Sequence, residues 1–195
     1  MHVLIFEGSH WNTFAPLSLS RPVFSLMTGM STLLEKQLRA LQPTRLTLWV
    51  RPGLAEHTRR EIVPKLKVPT QVNTPIDDEP VLIMSGRTVH FTRFEAPTEP
   101  SVVVDEGNIV RSAYATAPGL SPDDVFNRTP RWMELLDLPQ TMPQSRMVHN
   151  VWDLISWNEE SIVQDFICAQ VSHVLRIAPY EVDEDAPLTS LGRTR

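Results

Sequence analysis

The chain reads as an α/β protein built on a mostly parallel sheet, and three features of its sequence say so. Val3-Leu4-Ile5-Phe6 is a short apolar run rich in branched side chains, which suits a strand buried on both faces. Two similar runs, Leu46-Thr47-Leu48-Trp49-Val50 and Pro80-Val81-Leu82-Ile83-Met84, follow at intervals. Between them lie stretches whose apolar residues recur at helical spacing. Strands alternating with helices imply parallel pairing, because only a crossover returns the chain in the same direction.

Taken in order, Met1 to Phe6 is the first strand and Glu7-Gly8 opens a polar loop. From Val23 to Leu41 the apolar residues Phe24, Leu26, Met27, Met30, Leu33, Leu34, Leu38 and Leu41 are interrupted by Gly29. That pattern predicts a short turn and then an amphipathic helix from about Ser31. Ala55 to Lys65 reads as a short helix with Glu56, Arg59, Arg60 and Glu61 on its wet side. The third strand ends at Ser85-Gly86-Arg87. After Val89 the pattern changes: Ser101 to Val110 is two strand-like runs around Asp105-Glu106-Gly107-Asn108, a β-hairpin inserted beside the parallel core. Ser121-Pro122-Asp123-Asp124 starts a helix that runs to about Leu136. Asn150 begins a C-terminal helix through Leu154, Ile155, Ile162, Phe166, Val171 and Leu175, on which Trp152 and Trp157 are expected to pack.

Composition narrows the function classes. With 195 residues, 42% of them apolar, the chain can fill one sizeable core. Residues 1–166 are read as that domain and 167–195 as a C-terminal helix with an acidic tail. A net charge of −5 argues against a protein that works by neutralising nucleic-acid phosphates. Cys168 is the single cysteine, so no intrachain disulfide forms and a reducing cytoplasm is the natural setting. Cys168 itself reads as a small core residue. No stretch approaches the roughly 20 apolar residues that span a bilayer, so no membrane association is expected. The 17 prolines fall mostly between elements and suit a compact chain. The histidines show no metal-ligand spacing.

A strand, a polar loop and a helix N-terminus together form the usual opening unit of a nucleotide-binding sheet. Ligands gather at the carboxyl ends of strands in such sheets, so Glu7, Gly8 and Arg87 are expected to approach one crevice. The loop holds one glycine, which permits close approach of a phosphate, and the neighbouring Glu7 adds repulsion.

Three segments carry a more specific likeness. They are Pro16-Leu17-Ser18-Leu19-Ser20-Arg21-Pro22 with Leu26, Gly29, Leu33 and Glu35-Lys36; then Ile83-Met84-Ser85-Gly86-Arg87; then Asn150-Val151-Trp152-Asp153-Leu154-Ile155 with Asn158 and Asp165-Phe166. In this order, over about residues 2 to 166, the chain resembles a divergent family of sugar nucleotidyltransferase-like proteins. That family is related to the uridylyltransferase half of the bifunctional N-acetylglucosamine-1-phosphate enzymes. The resemblance implies a Rossmann-like nucleotidyltransferase sheet and a reaction in which a sugar 1-phosphate attacks the α-phosphate of a nucleoside triphosphate, expelling pyrophosphate. It implies a magnesium ion (Mg2+) bridging phosphate oxygens. It also implies nucleotide contacts at Gly8, Ser9 and the loop to Phe14, and a catalytic phosphate contact at Arg21. Arg87 and Lys36 are further candidates for phosphate charge.

The departures from that pattern favour a rival reading. Active relatives carry several glycines in the first loop, a Pro-Lys pair where this chain has Pro22-Val23, and a metal-binding Asp where the third strand here ends in Gly86-Arg87. Asp105 and Asp153 are carboxylates that spacing alone does not place at a metal. A catalytically inactive scaffold or regulatory module is therefore the alternative. The segment from Ile162 to Gly192 resembles the first helix and loop of an acyl carrier domain without its modifiable Ser, which raises a third reading, a truncated fusion. The hexapeptide repeats that often follow such domains are absent. An exposed apolar patch near the C-terminal helix is accordingly expected, and it would favour self-association.

Overall fold

The computed structural model describes residues 1–77 and 79–174. Strand β1 (His2–Phe6) opens the chain, and a small hairpin of β2 (Met27–Thr28) and β3 (Ser31–Thr32) leads into helix α1 (Leu33–Leu41). The strands β4 (Arg45–Trp49), β5 (Thr70–Val72), β6 (Val81–Ser85), β7 (Thr88–Val89), β8 (Ser101–Asp105) and β9 (Ile109–Ala115) follow. Helices α2 (Pro122–Asn127) and α3 (Pro130–Met133), strand β10 (Arg146–Met147), and helices α4 (Val151–Ser156) and α5 (Asn158–Val174) come last.

The central sheet has the order β5-β4-β1-β6-β9-β8. Its β5, β4, β1 and β6 strands are parallel, and the β8–β9 hairpin adds antiparallel to β6. This is the expected mixed α/β sheet with its hairpin. Both faces are covered, which is why β1 reads as unbroken apolar sequence: all five of its residues are buried. Leu4, Phe6 and Ile83 pack with Trp132 and Leu135 on one face. Val3, Ile5, Leu82 and Met84 pack with Phe24, Leu34 and Leu41 on the other. From β1 the chain runs outward to β4 and β5, then returns to β6 on the other flank of β1. The order of winding thus reverses between β1 and β6, and an open sheet has its crevice at such a point.

Helix α1 starts two residues later than the periodicity suggests. Thr32 caps it, accepting from the Glu35 N–H at 3.1 Å while the Glu35 carboxylate accepts from the Thr32 N–H at 2.7 Å. Ser31 and Thr32 belong to the β2–β3 hairpin, which Gly29 turns at φ +72. Strands of two or three residues are too short to leave a periodic signal, and β5, β7 and β10 carry none for the same reason. The Ala55 to Lys65 helix forms as a run of short, irregular helical turns. The helix expected to reach Leu136 breaks at Arg128, whose φ is +49, just before Thr129-Pro130.

The C-terminal helix is divided at Trp157 into α4 and α5. Trp152 is 72% exposed rather than packed, because it points off the outer side of α4 while Leu154 faces in. Ile155, Ile162, Phe166 and Ile167 are exposed beside it, and Cys168 is half-buried rather than in a core. No helix among the described residues is long and apolar enough to cross a membrane. Most of the acyl-carrier-like segment, from residue 175 onward, lies outside the described residues.

Candidate functional site

Phe6 and Ser85 are register partners at the carboxyl ends of β1 and β6, so the loops that leave these strands are neighbours. The Gly86 N–H donates to the Phe6 carbonyl at 2.8 Å. A Cβ on Gly86 would lie 3.0 Å from that oxygen and 3.1 Å from Phe24 Cβ, so the crossing is too close for a larger residue. Gln37 of α1 donates to the Ser85 carbonyl at 2.9 Å and the Thr88 carbonyl at 3.0 Å. The Val148 N–H donates to the Arg87 carbonyl at 2.9 Å. The backbone of Arg87 is therefore held from both sides.

Its side chain is treated differently. Arg87 is only 3% exposed, its Nε is buried without a partner, and its guanidinium makes no ion pair with any described residue. Burial lowers its pKa to about 10, with Asp105 pulling the other way, so it stays charged at neutral pH. Asp105 is already engaged by Arg111 at 3.0 Å and lies 3.4 Å from His149. Burying a charge without a partner is costly, by several kcal/mol before relaxation.

Arg87 lines a hollow of about 30 Å³ together with Gly8, Ser9, His10, Asn108 and Arg128. Phe6, Val110, Val125 and Trp132 form its apolar side, and none of the lining residues is acidic. Burial, then the charges of Arg87 and Arg128, hold the His10 imidazole below its usual pKa. Positive charge thus converges on a space that suits a phosphoryl group rather than a whole nucleoside.

The first loop brings Gly8 and Ser9 to this hollow but turns Glu7 away from it. Glu7 is fully buried and accepts from the Val23 N–H at 3.1 Å, the Arg51 N–H at 3.3 Å and Arg51 Nε at 3.0 Å. Burial raises the Glu7 pKa and Arg51 opposes the rise. Arg51 also donates to the Ser18 carbonyl at 2.5 Å and stacks on Trp11 at 3.8 Å. The repulsion expected beside Gly8 is thereby neutralised, and the whole loop is pinned to β4. Gly8 has φ −69 and ψ 175, an extended conformation open to any residue, so its value is the bare space it leaves. Ser9 is exposed at the start of a short 3-10 turn, Ser9–Phe14.

Two expected residues do not join the hollow. Arg21 is exposed and lines a separate cavity of about 600 Å³ with Ser20, Ser25, Thr32, Glu35, His57 and Lys65. That cavity borders Leu34 and Leu66 of the opposite face of the sheet. The reason is local: Phe24 packs into that second face and draws the Arg21-Pro22-Val23 segment with it. Lys36 is buried, and its Nζ donates to Asp165 at 2.7 Å. Asp165 also accepts from Arg39, from the Met30 N–H at 2.8 Å and from the Ser31 hydroxyl at 2.9 Å. Burial alone would raise the Asp165 pKa, but these hydrogen bonds outweigh it and hold the carboxyl below its usual range. Lys36 therefore anchors α5 to α1 and the β2–β3 hairpin instead of meeting phosphate.

The donors at the hollow do not suit magnesium, which takes carboxylate and other oxygen ligands. Two guanidinium groups and an imidazole surround the space, and no cluster of three or more His, Cys, Asp or Glu that could hold a metal exists among the described residues. Asp153, a carboxylate noted in the sequence, caps α4 by accepting from the His149 N–H at 2.7 Å and the Asn150 N–H at 3.1 Å. His10 falls within the loop to Phe14 that the resemblance places at the nucleotide, whereas Asn108 and Arg128 were missed. The Asn108 turn was legible as a hairpin, but its meeting with Gly8 depends on β9 docking beside β6.

The chain is thus an open, mostly parallel α/β sheet with a cationic hollow at its point of reversal, where such sheets gather ligands. The chain belongs to the sugar nucleotidyl transferase family, whose profile matches residues 3–173, and so to a family of transferases. Its fold is similar to that of the CTP:phosphocholine cytidylyltransferase of Streptococcus pneumoniae, with 13% identity and a TM-score of 0.51 over 82% of this chain and 98% of that one. A structure from Bacillus anthracis assigned as a glucose-1-phosphate thymidylyltransferase, in complex with sucrose, aligns at 10% identity and a TM-score of 0.45, over 83% of this chain and 96% of the other. No curated protein matches the chain.

Proposed function

We propose that the chain, with residues 1–166 as its catalytic domain, transfers a nucleotidyl group from a nucleoside triphosphate to a sugar 1-phosphate. An oxygen of the sugar phosphate attacks the α-phosphorus, the α–β P–O bond breaks, and pyrophosphate leaves with the bonding electrons. The protein's part in such a reaction is placement and charge stabilisation. Arg87 and Arg128 neutralise phosphate oxygens, while Gly8 leaves room for them beside the exposed Ser9 hydroxyl. Likeness of the Arg21, Arg87 and Asp165 segments to the uridylyltransferase half of the N-acetylglucosamine-1-phosphate enzymes supports this substrate class.

The observation that carries the reading is the buried, unpartnered Arg87 guanidinium at the sheet's point of reversal in a chain of this family. Pyrophosphate release from a panel of nucleoside triphosphates and sugar 1-phosphates tests it. Turnover with at least one pair is expected, falling by roughly 10²-fold or more in Arg87→Met, the size of effect seen when a charge-stabilising donor is removed. The lack of a carboxylate cluster among the described residues favours a second reading, a nucleotide-binding module without turnover. Binding of a triphosphate with no pyrophosphate from any pair would establish that reading instead.

A further inference from the structure

We infer that the hollow formed by Gly8, His10, Arg87, Asn108 and Arg128 binds a phosphate group without a divalent cation, its guanidinium groups supplying all the neutralising charge. This deepens the proposed function and rests on its reading of the hollow as a phosphate subsite. Three independent observations lead to it.

The first is that Arg87 is only 3% exposed yet leaves Nε unsatisfied, while the Gly86 N–H and the Arg87 carbonyl beside it are hydrogen-bonded. A fold that holds a charged fork rigidly and gives it no internal partner has left that partner to come from outside. The second is the sign of the surroundings. None of the hollow's lining residues is acidic, and Asp105, the carboxylate that acts on Arg87 through space, is engaged by Arg111. A divalent cation placed here would face two guanidinium groups with no carboxylate to hold it. The third is how nearby carboxylates are employed. Glu7, next to Gly8, accepts from Arg51 and the Val23 N–H, Asp105 accepts from Arg111, and Asp124, next to Val125, caps α2, so none of the three is left idle. Planar guanidinium groups engage phosphate oxygens in pairs, which matches a small hollow open to one phosphoryl group.

Calorimetric titration of the full chain with nucleoside mono- and triphosphates and with inorganic phosphate, in EDTA and in magnesium, tests this. Affinity in EDTA within about threefold of that in magnesium is expected for at least one probe. Arg87→Met should weaken that binding at least about tenfold. The same variant should melt higher than the wild type by about 2–4 °C, because an uncompensated buried charge has been removed. A purely structural Arg87 would reverse the sign of that melting shift and overturn the assignment. If Arg87→Met fails to fold, Arg128→Ala, at an exposed position, keeps the test open through a severalfold loss of binding in EDTA. Binding that vanishes in EDTA and returns with magnesium would overturn the inference and leave the nucleotide reading intact. No binding of any probe in either buffer would overturn both.

Discussion

Arg87 and Lys36 are both buried cations, 3% and 2% exposed, and the protein treats them in opposite ways. Lys36 reaches Asp165, which gathers four donors and joins α5 to α1 and the β2–β3 hairpin. Arg87 is held by its backbone at the sheet's point of reversal and its guanidinium faces a hollow with no acid in it. A buried charge whose partner lies within the fold is part of the architecture. One whose partner is missing is a receptor, provided that the surrounding structure is strong enough to carry the cost. His90 shows a third solution: burial lowers its pKa to about 4, so it avoids the cost by staying neutral.

The largest expected effect comes from breaking the paired case. Asp165→Ala leaves Lys36 uncompensated and should cost about 3–5 kcal/mol of stability, read as a fall in the urea midpoint. A loss below about 1 kcal/mol would mean that Lys36 does not depend on its pair, and the contrast with Arg87 would lose its first member. Next in size is the pH response of His90. Between pH 6.5 and about 4 the unfolded chain takes up a proton that the native protein refuses, so stability falls as pH falls, by about 3 kcal/mol across that window. In His90→Gln this decline should be shallower by that amount in denaturant melts at pH 7, 5.5 and 4, and parallel curves would refute the neutral buried state. The smallest effect is expected at Arg21. Because it is exposed, Arg21→Ala should change stability by less than about 0.5 kcal/mol. It should also weaken nucleotide binding less than Arg87→Met does. The reverse ranking would move the phosphate site to the larger cavity on the other face.

Much of the fold was legible. β1, β4 and β6 appear almost where their apolar runs place them, because a strand buried on both faces must be apolar throughout. The β8–β9 hairpin follows from its Glu106-Gly107-Asn108 turn, where Gly107 has φ +72 and Asn108 φ +57, conformations those residues tolerate. The short pairs β2–β3 and β7–β10 were not legible, since two residues carry no periodicity and their pairing is settled by what they pack against. The exposure of Trp152 was misread because helical spacing shows which residues share a face but not whether another element covers it.

The candidate site divides along the same line. That Gly8 and Arg87 approach one crevice could be read from strand ends alone, since parallel strands bring their following loops to one edge. On motif grounds Arg21 is the leading phosphate contact and Lys36 a further candidate, yet Phe24 draws the first to the opposite face and Asp165 binds the second. The sequence by itself determined the alternation of apolar strands and helices, the sheet they build and the edge at which ligands gather, because those depend on local pattern. Only the tertiary structure decided which cations are paired. The residue that neutralises Lys36 lies 129 positions away, and the residues that surround Arg87 come from three separate stretches of the chain, 6–10, 108–110 and 125–132.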